Sequence, residues 1–338
     1  MKKYTYILLL LCSGLFAQQP NPPGQVAANG KALHEAYLFA HMTHEDYGRL
    51  YYSVSTDGLH WYPLNDSKRV FDDYHGHPDI AKGPDGKYYM AGNNSDDDHD
   101  ITIWTSADLV TWKKHSTYTP NLKSTPGYAE AMQRIGAPKL YYDDPSGKFI
   151  VTWHTPHQEG TKEDGERYWA SQRTLYVISK DLKTFERTPR KLFDWNFGTI
   201  DVSIRRVDGS YYAILKDESY PTLYWTTGKT VRIAKASSLT GPYSLPSEPL
   251  SPNFREAPTL IPSPNGKAWY MYYEQYPGVS YGLSIADNLN GPWYQASGYT
   301  FHSDWDKYSL PKKVRHGCMI TISRGEYDQL VKKFGIER

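Results

Sequence analysis

Cysteine is nearly absent: two occur in 338 residues, Cys12 and Cys318. Cys12 falls in residues 1–17, where two lysines, a short apolar run and an Ala17-Gln18 junction have the form of an export signal peptide. A lipoprotein anchor at Cys12 would want a small residue before it, and Leu11 stands there. The mature chain therefore keeps only Cys318, which excludes an intramolecular disulfide and leaves stability to a buried core. Cys318 lies in the apolar stretch "GCMITIS" and reads as a buried, inert thiol. The apolar run within residues 1–17 is too brief to span a bilayer, and the signal leads to an exported protein expected in the periplasm or outside the cell, with no membrane insertion. A dominant charge is also missing. Cleavage after Ala17 removes Lys2 and Lys3 and leaves 36 of the 38 basic side chains, one fewer than the 37 acidic ones, and nothing in that balance calls for nucleic acid or an acidic polymer. Long amphipathic patterns are scarce; helix is expected only in "YAEAMQRIG" and in "GEYDQLVKKFG", where Gly335 is the stop.

What is abundant is aromatic: 15% of residues, with 30 tyrosines and 10 tryptophans, a composition suited to strands and to an aromatic-lined ligand surface. The chain also repeats itself. A strand end followed by a polar residue and an aromatic recurs five times, as "SVSTDGLHW", "WTSADLVTW", "VISKDLKTF", "AKASSLTGPY" and "SIADNLNGPW". A hairpin turn running into a strand recurs as "GPDGKYYMAG", "DPSGKFIVTW", "RVDGSYYAIL" and "SPNGKAWYMYY". One more strand precedes each hairpin ("HPDIAKG", "APKLYYD", "DVSIRRV", "APTLIPS"), and "HGCMITI" matches these near the C-terminus. In register, His77, Ala137, Asp201, Ala257 and His316 become equivalent, at separations of 60, 64, 56 and 59 residues. A period of that length is expected of a β-propeller blade of four antiparallel strands, whereas an open β-sandwich gives no reason for it. The fold class is thus all-β: a five-bladed propeller over residues 31–338, preceded by a flexible leader at 18–30, with the ring closed by pairing of N- and C-terminal strands.

Inner strands of a propeller start around one end of the axis, so equivalent positions face one pocket. There, or one residue away, lie His77, Asp201, Glu256, Arg315 and His316, with Ala137 and Lys139 from the second blade. They differ in polar identity where a structural need would repeat, which marks them as candidates for chemistry; salt bridging between blades is the plainer alternative. Two carboxylates in such a pocket fit glycoside hydrolysis, in which one carboxylic acid protonates the leaving oxygen and another group activates water.

These motifs resemble glycoside hydrolase family 43. Nearly the whole mature chain is covered, through "TIDVSI", "REAPTL" and the closing "VRHGCMITISRGEYDQL". The resemblance implies Asp201 as the orienting, pKa-tuning carboxylate and Glu256 as general acid. It further implies that His316, beside Arg315, is a supporting residue facing an ordered water or a structural calcium ion, with no cofactor required. It implies inversion, with pentofuranosides, xylosides or galactofuranosides as substrates; exo action on plant or algal oligo- or polysaccharides by a monomer is expected. The sequence departs from the pattern at three places: Ala257 replaces a glycine, Lys139 replaces the second blade's glutamate, and His77-Pro78 replaces the Asp-Pro that carries the base. Three readings of His77 follow: it acts as base through its neutral imidazole, Asp79 on the same face serves instead, or hydrolysis is lost and sugar binding kept. His75, His154, Trp153 and Tyr273 are candidate substrate contacts, and Lys139 or Arg315 could pair with a charged sugar. Trp61 and Tyr281 could stack on a sugar ring as well, although all four aromatics could equally fill blade cores. The acidic "NNSDDDHD" stretch lacks the spacing of a calcium loop.

Overall fold

A computed structural model describes residues 33–93, 99–125, 128, 134–157, 165–276, 280–296 and 307–337. The stretches expected to form a signal peptide and a leader, and most of both "YAEAMQRIG" and "NNSDDDHD", lie outside these residues. No helix among the described residues is long and apolar enough to cross a membrane.

The chain begins with β1 (Ala36–Thr43), β2 (Tyr51–Ser55) and β3 (Tyr62–Pro63). The first complete blade is β4 (His75–Lys82), β5 (Tyr88–Asn93), β6 (Ile101–Ser106) and β7 (Lys113–Tyr118). The second is β8 (Gly136–Asp143), β9 (Lys148–Pro156), β10 (Gln172–Ser179) and β11 (Arg190–Lys191). The third holds β12 (Thr199–Val207), β13 (Ser210–Asp217) and β14 (Thr230–Ala236), and the fourth β15 (Arg255–Pro262), β16 (Trp269–Gln275), β17 (Ser280–Ala286) and β18 (Tyr294–Gln295). Finally β19 (Val314–Ile322) pairs antiparallel with β1, from Ala36 opposite Ile322 to Thr43 opposite Val314, and becomes the inner strand of the fifth blade. The ring closes as the repeat requires, with the N-terminal and C-terminal strands sharing one sheet.

Each expected hairpin forms, but the third blade stops at three regular strands. Its outer edge is instead covered by Ser244 to Leu250, where Ser244, Ser247 and Leu250 donate to Lys235, Ile233 and Val231. Pro246 and Pro249 lack the N–H a ladder needs, so the contact stays irregular.

Apolar side chains gather between blades rather than in one core. Tyr52, Tyr74 and Met90 fill the joint of the fifth and first blades, Tyr89, Phe149 and Val151 the next, and Phe39, Trp61, Tyr272 and Tyr281 that of the fourth and fifth. The expected C-terminal helix is the longest one described; α1 (Glu166–Ala170) is a single short turn, and α2 (Arg324–Phe334) runs to Gly335, whose φ is 74°. Ser323 and Glu326 form a capping box at its start, and Leu330 is fully buried over the seam between the fifth and first blades.

Candidate active site

Every inner strand is bulged near its start. The regular ladder skips residues between His75 and Asp79, Gly136 and Lys139, Ile200 and Ser203, and Glu256 and Thr259, and breaks on β19 opposite His41 and Met42. At the bulges Ala137, Asp201, Ala257 and His316 take φ values of 40°, 53°, 47° and 23°, and Gly76 takes 114°. Left-handed backbone in non-glycine residues is strained, and it recurs here where the side chains turn toward the axis. The register read from the repeats is therefore a repeated backbone device in four inner strands, whereas on β4 the left-handed residue is Gly76, one position before His77.

His77, Asp201, Glu256, Arg315 and His316 all line one cavity of about 500 Å³, with His154, Lys216, Glu218, Lys229, Phe254 and Tyr276. A second cavity of about 310 Å³ meets it at Tyr47, His77, His154 and Trp169 and continues over the second blade. The His77 and His316 rings lie 4.2 Å apart, and Tyr47 Oη bonds His77 Nε2 at 3.0 Å. Glu256 is clasped by Lys216 Nζ at 2.8 Å, His316 Nε2 at 3.3 Å and Arg315 at 3.6 Å. Arg315 Nε also pairs with Glu274, which accepts the His316 backbone N–H at 2.9 Å. Lys216 reaches Glu218 at 2.7 Å, and Glu218 in turn pairs with Lys229.

Burial alone would push the Glu256 carboxyl up; Lys216 and His316 outweigh it and hold the group well below the usual carboxylate range. Glu274 moves the other way, because burial and the Glu256 charge outweigh His316 and Arg315. Burial, reinforced by His316 and Lys139, drives His77 well below the usual histidine value and keeps its imidazole neutral. His316 is raised, since Glu274 and Glu256 overcome its burial, while burial brings His154 down to about 4.

Other sequence-derived candidates lie elsewhere. Asp79 does not share the His77 face, because the bulge between them breaks the two-residue alternation. Its carboxylate accepts the Leu140 N–H at 2.7 Å and faces Lys139 at 3.7 Å, tying the first blade to the second. The same position ties other blades: Thr259 accepts the Met319 N–H, and Cys318 Sγ, buried as expected, accepts that of Ile80. Lys139 is thus a buried structural cation paired with Asp79, whereas Arg315 lines the cavity with its charge shared between Glu274 and Glu256. His75 packs against Arg49. Trp153, Tyr273, Tyr281 and Trp61 are all buried within blades and offer no face to a sugar.

The sequence reading missed Tyr47, Lys216, Glu218, Lys229 and Glu274. Glu274 pairs across the ladder with Glu256, and Lys216 with Ile200 next to Asp201, so counting back across each hairpin would have found them. Tyr47 sits in the β1–β2 connection, which no other repeat shares.

Residues 33–328 match a family model described as a probable glycosyl hydrolase domain, related to glycoside hydrolase family 43. An α-L-arabinofuranosidase of Bifidobacterium longum subsp. longum is 24% identical over 169 residues, 45% of this chain but only 15% of that enzyme. Among solved structures, a family 43 β-1,3-galactosidase with galactodeoxynojirimycin superposes with a TM-score of 0.52 at 17% identity, covering 72% of this chain and 81% of the other. An α-L-arabinofuranosidase from Lactobacillus brevis gives 0.52 at 16%, covering 68% and 74%. These superpositions bear out the propeller expected from the repeats, and the match over 33–328 decides the family: the chain belongs to the glycosyl hydrolases related to family 43.

Proposed function

We propose that this is an exported glycoside hydrolase that removes sugar units from plant or algal oligo- or polysaccharides. The observation that carries the reading is the convergence of Glu256, Asp201 and His77, from three different blades, on one cavity of about 500 Å³. Glu256 is the group that delivers a proton to the leaving oxygen. Asp201 fixes the neighbouring bulge: its Oδ2 accepts the Ala257 N–H at 3.0 Å and so sets the direction of Glu256 one residue before. The neutral His77 stands on the side where water is activated. The relatives' names suggest galactosides and arabinofuranosides as the first substrates to try.

A second reading, a sugar-binding propeller without turnover, is favoured by the clasp of Lys216 and His316 that holds Glu256 ionised. One experiment separates the two. Sugar release from arabinan, arabinogalactan and xylan is measured for the wild type, Glu256→Gln and His77→Ala, with affinity electrophoresis in the same polymers. A hydrolase loses roughly 100-fold or more in kcat in Glu256→Gln while retaining affinity. Retarded migration with no sugar released by any of the three proteins would leave the binding reading standing.

A further inference from the structure

We infer that the propeller axis binds one divalent transition-metal ion of the zinc class through His77, Asp201 and His316. One ligand atom from each lies within 4.8 Å of the others, and the three come from the first, third and fifth blades. Both histidines are prepared for the task in the same way. His77 Nε2 is bonded to Tyr47 Oη and His316 Nε2 faces Glu256 Oε1, while the Nδ1 atoms of both rings are buried without a partner. A histidine with one ring nitrogen fixed by a hydroxyl or carboxylate and the other left over has the tautomer and orientation of a metal ligand. A buried imidazole nitrogen with no partner otherwise costs stability, and two such nitrogens on neighbouring rings, whose centroids are 4.2 Å apart, call for a shared occupant.

The donor set selects the ion. Calcium, the ion suggested by the family resemblance, takes six to eight oxygens, and two imidazoles with one carboxylate fit it poorly. Nitrogen donors with a single carboxylate suit zinc, cobalt or iron(II), and three protein ligands with an open side toward the cavity is the arrangement of a catalytic rather than a structural site. A second group, Glu256, Glu274 and His316, also converges within 4.8 Å. Its carboxylates, however, are already clasped by Lys216 and Arg315, whose charges would oppose a cation. Those two cations pair with Glu256, Glu218 and Glu274, not with Asp201.

The role of the ion rests on the hydrolase reading, since an ion at this place would acidify a bound water where the family's carboxylate base is replaced by His77. Binding can be tested without any substrate. The protein is stripped with EDTA, returned to metal-free buffer at neutral pH and titrated calorimetrically with Zn(II), Co(II) and Ca(II), with bound metal measured by mass spectrometry. The expected result is one Zn(II) or Co(II) per chain, with no competition from Ca(II). His77→Ala should weaken binding by at least about 100-fold, and Tyr47→Phe, which removes only the outer hydroxyl, by about 10–100-fold. His115→Ala, on the outermost strand of the first blade, should bind as the wild type does. Absence of saturable binding, or equal binding by His77→Ala, overturns the inference. Metal bound with no glycoside cleaved keeps the site and removes the hydrolase reading. Full hydrolysis by the stripped protein keeps the hydrolase reading and removes the ion's role in it.

Discussion

Lys216 is a buried ammonium with two carboxylates in reach, Glu218 and Glu256, and its charge is set against the face of Tyr276 at 4.1 Å. Taking such a cation away does not restore an apolar core; it leaves two buried carboxylates facing each other. Lys216→Met should therefore lower unfolding free energy by about 3–5 kcal/mol, measured by urea denaturation, although methionine has nearly the same length. The sequence placed Asp201, Glu256, Arg315 and His316 correctly because each sits on an inner strand, where the repeat fixes the register. Lys216 sits at the far end of a returning strand, where hairpin length enters the count, and was not legible in that way. Asp79 was misjudged for a local reason: two-residue alternation holds only in a regular strand, and a bulge interrupts this one.

At the scale of the element, the recurring serine–x–aspartate phrase proves to be a hydrogen-bonded turn. Asp57 Oδ1 accepts the N–H groups of Leu59 and His60, both at 2.8 Å; Asp108 Oδ1 accepts those of Val110 and Thr111; and Asp181 Oδ1 accepts those of Lys183 and Thr184. Burial works to raise Asp57 and Asp108, yet these donors prevail, and all three carboxyls fall below their ordinary value. A carboxylate depressed in the folded state stabilises the fold above its unfolded pKa of about 3.9 and loses that contribution as pH falls through the lower, folded value. Acid unfolding followed by tryptophan fluorescence should thus set in below about pH 4 from these turns. Asp57→Ala should cost about 1–3 kcal/mol at neutral pH by stranding two N–H groups, whereas Asp57→Asn keeps the acceptor and removes only the acid-sensitive part. The phrase was visible in the sequence as a repeat; its cause, capping of the turn that leaves the third strand in three of the five blades, was visible only with the hydrogen bonds in place.

For the whole molecule, the critical joint is the seam where β19 meets β1 and α2 covers it. Tyr88 donates to Glu326 at 2.6 Å and Leu330 is sealed among residues of the fifth and first blades. Leu330→Ala should cost about 2–5 kcal/mol and lower the melting temperature, as read by calorimetry. The five-fold architecture was legible because one blade cannot bury its faces alone and must repeat, while the irregular third blade was not, since its prolines act on pairing rather than on period. Ring closure also changes what an occupant of the axis can do. His77, Asp201 and His316 belong to blades that share no strand, so a ligand gripping them acts as a rivet through the hub, and no blade can leave without releasing it. An occupant at 100 times its dissociation constant would add about 2.7 kcal/mol to the stability of the entire wheel. A melting-curve screen of metals and sugars would thereby report what the hub holds before any reaction has been found.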